Sequence, residues 1–286
     1  MYCDSHVHIV GDVERYPQYP ADRPYTTAPA ALADLRRLGA ARGIERFVIV
    51  QPSFYESDNR LLLETLVALG ERGRGVAVVD TDASREQLAD AAGRGVRGLR
   101  LNLYSRPGNR TAPLAAIFGA TAKAARRFDG HVEVIAPLTM IRESEELMRR
   151  AEVPVVIDHY GLYGDATPTS AAGRVLLALL ALPHVWIKLS APYRNSRDPL
   201  AVTPDRAWLA AILGAAATRC IWGSDWPHTP LKEQQTGNAI PLAYRPLRYE
   251  DIVDSFLRAL PSAELAERIM EANPARLYGF PDIGQG

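Results

Sequence analysis

Eight short β-branched runs, each followed by a longer stretch with apolar residues at helical spacing, constrain this 286-residue chain more than any other feature. The runs fall at 2–10, 46–51, 75–80, 96–103, 131–136, 154–159, 185–190 and 219–224. Helical spacing occupies 30–42, 58–72, 84–92, 114–127, 141–151, 170–182 and 204–217, with two further stretches, 248–260 and 262–271, after the last run. Such alternation is the pattern of parallel βα units, and eight of them in about 250 residues predict a (β/α)8 TIM barrel. Residues 1–286 are therefore expected to form a single domain. The alternative, a doubly wound open sheet, needs a glycine-rich phosphate turn after its first strand, and Gly11-Asp12-Val13-Glu14 does not supply one.

Charge and cysteine content narrow the functional classes. Thirty-three Lys and Arg balance thirty-three Asp and Glu, so no long-range field draws the chain to nucleic acid or to an anionic membrane. Neither is expected as a partner. Cys3 and Cys220 are too few for a disulfide framework, and no charged segment with an apolar core precedes Asp4, which predicts a cytoplasmic protein. The longest apolar stretch, 175–182, is far short of the ~20 residues of a membrane span. Residues 11–29, rich in Pro and Tyr, and 227–247 lack periodicity and are expected to be long loops over one mouth of the barrel.

In a barrel of this kind the chemistry lies at the C-terminal ends of the strands. The first run ends Asp4-Ser5-His6-Val7-His8, and period-two alternation turns His6 and His8 the same way. Two imidazoles at that spacing suit a divalent metal, although His-x-His also arises by chance. The sixth run adds Asp158-His159 and the eighth adds Gly223-Ser224-Asp225-Trp226. Strands one and eight are neighbours once the barrel closes, so His6, His8, His159 and Asp225 are expected to meet. His131 begins its strand and His184 precedes the seventh, both at the opposite end, and His228 reads as part of a surface loop.

Cations form a second set. Arg100 and Asn102 share a face of the fourth run, Arg106 follows on the loop, and Arg194 follows the seventh run. Three guanidinium groups on one rim suggest an anionic ligand, a carboxylate suiting them best. For any single arginine, an ion pair with Asp158 or Glu133 is the competing explanation. Lys188 is either a Schiff-base nucleophile or, the preferred reading, a partner of a barrel carboxylate. Glu133 is open between a site residue and a salt-bridge partner. Ser53 lacks the flanking glycines of a nucleophile elbow and reads as a hydrogen-bond donor to substrate.

These residues carry a family resemblance. Asp4-Ser5-His6-Val7-His8, Arg23-Pro24-Tyr25-Thr26, Val50-Gln51-Pro52-Ser53, Gly98-Leu99-Arg100-Leu101-Asn102, Val156-Ile157-Asp158-His159 and Trp222-Gly223-Ser224-Asp225-Trp226-Pro227 resemble the amidohydrolase superfamily, in the branch of the 2-pyrone-4,6-dicarboxylate lactonases. The resemblance runs almost end to end. It implies a (β/α)8 barrel that opens small carboxylated lactones, with His6, His8, His159 and Asp225 at the reacting centre and Tyr25, Ser53, Arg100, Arg106 and Arg194 on the substrate. A metal-dependent decarboxylase or a lactone isomerase is the alternative within the same superfamily. Two departures stand out. Leu162 replaces an arginine three residues after the strand-six histidine, and the fifth run, Val132-Glu133-Val134-Ile135, lacks a tyrosine. One carboxylate anchor is then missing, so the expected substrate is a 2-pyrone-4,6-dicarboxylate-like or sugar-acid lactone, open to one carboxylate or another acid group. The branch implies either no required cofactor or one divalent metal, zinc first, held by His6, His8, His159 and Asp225. Arg100 stands where binuclear members carry a bridging lysine or glutamate, so a binuclear site is not expected.

Overall fold

The computed structural model describes residues 1–18, 26–80, 83–104, 113–230 and 241–281. Eight parallel strands run β1 (Tyr2–Val7), β2 (Ile44–Val50), β3 (Gly73–Ala77), β4 (Val96–Asn102), β5 (His131–Ile135), β6 (Val155–Ile157), β7 (Val185–Ser190) and β8 (Cys220–Gly223), hydrogen-bonded in sequence order. The seam between β8 and β1 is closed by a parallel bridge from Val7 to Trp226, with Asp225 N donating to His6 O and His8 N to Trp226 O. Helices lie between the strands, so the (β/α)8 architecture follows as the alternation predicts. The stretches expected as single helices at 141–151 and 262–271 are each broken. Leu138–Glu143 and Glu145–Arg149 meet at Ser144, whose hydroxyl donates to Met140 O, and Arg268–Ala272 winds as a π-helix. No helix among the described residues is long and apolar enough to cross a membrane.

Alternation along the strands divides the core in two. On β2, Phe47 and Ile49 pack outward against helices, while Val48 and Val50 join Cys3, Val76, Val156, Trp186 and Ile221 in a separate cluster with Tyr278 and Phe280. The C-terminal segment is held against this cluster by two cations. Arg46 donates to Pro281 O, Arg74 donates to Tyr278 O and Gly279 O, and both guanidinium groups lie over the Phe280 ring.

Above that apolar layer the interior turns polar. Glu133, Asp158, Lys188, His6, His159 and Asp225 are all essentially inaccessible to solvent. A chain this size tolerates so many buried charges only if they pair, and the pairing defines the site.

Candidate active site

Strand β1 bends before it delivers its histidines. A register shift between Asp4 and Val7 accompanies three hydrogen bonds to the Asp4 carboxylate, from Ser224 N, His6 N and Tyr249 OH. Burial raises the Asp4 carboxyl to about 6 against the pull of these donors. The strand ends at Val7, so His8 lies just beyond it and not on the continuous strand expected to 10. Both histidines nevertheless reach the same place. On β8, a Cβ on Gly223 would stand 2.5 Å from His6 Cβ and 2.8 Å from His6 N, so only glycine lets the two strands approach there.

The Asp225 carboxylate is the hub. Its Oδ1 lies 3.4 Å from His8 Nε2, 3.5 Å from His6 Nε2 and 3.9 Å from His159 Nε2. Its Oδ2 accepts from Tyr193 OH at 2.5 Å and from Arg194 Nε at 3.0 Å. Burial alone pushes the Asp225 carboxyl up, but Arg194, with the surrounding imidazoles, reverses this and holds it well below the usual carboxylate range. Burial likewise holds His6 and His159 well below the ordinary imidazole value, so both rings are neutral. Asp225 at φ 61° and His159 at φ 52° occupy the left-handed region that non-glycine residues avoid, a local strain of the kind that gathers where geometry serves a site.

Outer contacts fix the rings. His8 Nδ1 lies 2.7 Å from Val50 O, and a carbonyl only accepts, so Nδ1 carries a proton and Nε2 is the nitrogen that faces Asp225. His159 Nδ1 pairs with Ser190 Oγ at 2.8 Å. Lys188 Nζ stands 2.5 Å from Glu133 Oε2 and 3.2 Å from His6 Nδ1. Lys188 is thus the carboxylate partner that its position suggested, and Glu133 is its counter-ion.

His6 Nε2, His159 Nε2 and Asp225 Oδ1 are buried and have no hydrogen-bond partner among the described residues. His6, His8 and Asp225 bring ligand-type atoms within 4.8 Å of one another, as do His6, Asp158 and His159, so these are groups that could hold a metal ion by position. With bonds of about 2.1 Å, a tetrahedral edge is about 3.4 Å, which suits the spacing around Asp225 Oδ1. The protons do not suit it. Both groups need His6, whose Nδ1 faces the Lys188 ammonium, a group that only donates. With the ammonium donating to Nδ1, the hydrogen of the neutral ring stands on Nε2, toward Asp225, and the lone pair of Nδ1, the nitrogen 3.4 Å from Asp158 Oδ1, is taken by Lys188.

Arg100 is buried on β4, and its NH1 donates to Gln51 O at 2.6 Å. No ion pair with Asp158 or Glu133 forms, and its Nε has no partner among the described residues. Burial lowers its pKa, opposed by the more distant charges of Asp158, Glu133 and Asp225. Arg194 is committed differently from a free rim cation: it binds Asp225 and, through NH2, Thr229 Oγ1 at 2.8 Å. Ser53 is half-buried on a 3-10 turn, Ser53–Tyr55, that follows β2. Tyr25 and Arg106 lie outside the described residues. His228, expected in a surface loop, is buried instead, because its backbone N–H donates to Asp225 O and its ring sits edge-on to Tyr193. His184 is structural, its Nε2 meeting Met148 O at 2.9 Å. Tyr193 escaped the sequence reading; its place next to Arg194 after β7 was the only hint, and a 3-10 turn, Pro192–Asn195, leaves strand periodicity nothing to report.

Known proteins are similar to this chain over almost its whole length. The chain is 27% identical over 280 residues to the 4-sulfomuconolactone hydrolase of Hydrogenophaga intermedia, covering 96% of this chain and 88% of that one. It is 29% identical over 290 residues to the 2-pyrone-4,6-dicarboxylate hydrolase of Comamonas testosteroni, covering 96% and 89%. Among solved structures, a probable 2-pyrone-4,6-dicarboxylic acid hydrolase of Acinetobacter baumannii superposes with a TM-score of 0.81 at 24% identity, covering 98% of this chain and 99% of that one. The chain belongs to the amidohydrolase family (Amidohydro_2), which matches it from residue 3 to residue 280.

Proposed function

We propose that this protein hydrolyses a small lactone bearing an acidic group, with Asp225 taking a proton from the water that attacks the ring carbonyl. The observation that carries the reading is Arg100, a buried cation beside the histidine and aspartate cluster with no carboxylate of the described chain within ion-pairing distance. A buried guanidinium in that position is matched by an anion on the substrate. The two curated relatives, whose names specify a sulfonated and a dicarboxylated lactone, support the same class.

The protein groups divide the work. Asp225 is ionised, and Oδ1 is the oxygen that Tyr193 and Arg194 leave uncapped. His8 Nε2 stands 3.4 Å from it and accepts when the ring is neutral, and two adjacent acceptors then suit the two protons of one water. His6, as an Nε2–H donor, polarises the carbonyl that the water attacks, and His159 Nε2 lies on the same side of Asp225. Arg100 holds the acidic substituent, and Arg106, Tyr25 and Ser53 are proposed to complete that pocket. No cofactor is required in this scheme, and no step passes through a metal. A role in the cytoplasm, in breakdown of aromatic or sugar acids, fits this substrate class.

A panel of mono- and diacidic lactones, including a sulfonated one, with protein treated with chelator, tests the reading. Ring-opened acid at enzymatic rates supports it. Release of carbon dioxide, an isomeric lactone as sole product, or turnover restored only by stoichiometric zinc contradicts it.

A further inference from the structure

We propose that Lys188 is a positioning residue that fixes His6 as the tautomer protonated on Nε2, so that this imidazole faces Asp225 and the substrate as a hydrogen-bond donor. For its purpose the inference rests on the hydrolytic reading of the site, but its test needs no substrate.

Lys188 projects from the middle of β7 into the interior and is fully buried. Burying an ammonium there is costly, and a salt bridge to Glu133 at 2.5 Å offsets that cost without involving His6. Yet Nζ also lies 3.2 Å from His6 Nδ1 with hydrogen-bonding geometry. An ammonium has three donors and no lone pair, so Nδ1 accepts and the single proton of the neutral ring is on Nε2.

Apart from the ammonium, two carboxylates stand beside Nδ1 against one beside Nε2, Asp225 Oδ1 at 3.5 Å, and the balance favours the opposite tautomer. Asp158 Oδ1 is 3.4 Å and Glu133 Oε1 3.7 Å from the same Nδ1, and neither oxygen makes a hydrogen bond. Without the ammonium, these carboxylates are the charged neighbours of Nδ1 and draw the proton to it. His6 then presents a lone pair to the reacting centre, which suits a metal ion and cannot polarise a carbonyl. The identity of residue 188 thus selects between a donor and a ligand at His6. The relay Glu133, Lys188, His6, Asp225 crosses β5, β7 and β1 and ends just past β8, which a purely local structural pair does not need to do.

The direct test is a two-bond proton–nitrogen correlation spectrum of protein carrying 15N-histidine, with the His6 signals assigned from a His6→Gln variant. In the wild-type protein the proton is expected on Nε2; a proton on Nδ1, or on both nitrogens, overturns the proposal without reference to any variant. In Lys188→Met the proton is expected to move to Nδ1, and retention on Nε2 in a folded variant also overturns it. The same substitution should lower kcat by about 10- to 100-fold with KM little changed, as for other groups that orient a working histidine. Zinc affinity of chelator-stripped protein, measured by calorimetry, should rise at least tenfold in Lys188→Met (~1.4 kcal/mol), and Lys188→Arg should return both readouts toward wild type. If Lys188→Met does not fold, the wild-type spectrum still decides. A wild-type enzyme that opens no lactone but shows the Nε2 proton refutes the proposed function and leaves the tautomer assignment standing.

Discussion

Arg194 and Asp225 form a two-point contact, with the guanidinium Nε and NH2 each 3.0 Å from Oδ2, while Oδ1 of the same carboxylate faces three imidazoles. The carboxylate is therefore divided into a held oxygen and a working one. Arg194, expected on the substrate, is also bound to the residue at the centre of the site.

That division predicts what Asp225→Asn does. The amide preserves shape and can still meet Tyr193, but it cannot take a proton. The kcat should fall by about 10²- to 10⁴-fold, the usual contribution of a general base, while calorimetric affinity for a non-reactive acidic lactone analogue stays near wild type. Activity retained in this variant removes Asp225 from its role.

Gly223 makes a structural prediction about His6. A methyl group there would meet His6 Cβ at 2.5 Å and backbone N at 2.8 Å, and a strand sealed by the Val7–Trp226 bridge has little room to yield. Gly223→Ala should cost about 1–3 kcal/mol of stability in a denaturant titration, as other overpacked cores do, and should lower kcat more than a substitution of equal cost far from the site. Unchanged stability and activity would show that the seam is looser than described.

The two thiols should be silent. Cys3 and Cys220 are buried, and burial raises each to about 12. A thiol raised in the folded state stays neutral while its counterpart in the unfolded chain ionises from about pH 9, so this contribution to stability is intact below about 9 and is lost as pH climbs toward 12. A thiolate-specific reagent at pH 8 should label neither cysteine in the native protein and both in denaturant. Rapid labelling of the native protein contradicts the packing around β1 and β8.

Much of the fold was legible because β-branched runs and helical spacing are local signals. The convergence of His6, His8, His159 and Asp225 was legible too, since barrel closure places β1 beside β8. What escaped was set by long-range packing. The bulge after Asp4 moves β1 out of simple alternation, so His8 reaches the site from beyond the strand. The choice of Glu133 as partner of Lys188, leaving Arg100 without a carboxylate among the described residues, depends on depth along the barrel axis, which periodicity does not encode. Burial of His228 and the reach of Tyr193 to Asp225 follow from turns whose backbone has no repeating period.

The central claim is water attack on a lactone whose acidic group is held by Arg100, and ring opening in 18O-labelled water tests it most directly. With chelator-treated wild-type protein, one solvent oxygen should enter the new carboxylate of the product. Replacing Arg100 by Met, or the substrate by its neutral isostere, should lower kcat/KM by about 10- to 100-fold, the worth of a charge-assisted hydrogen bond. A product without label, or equal rates for acidic and neutral lactones, contradicts the account.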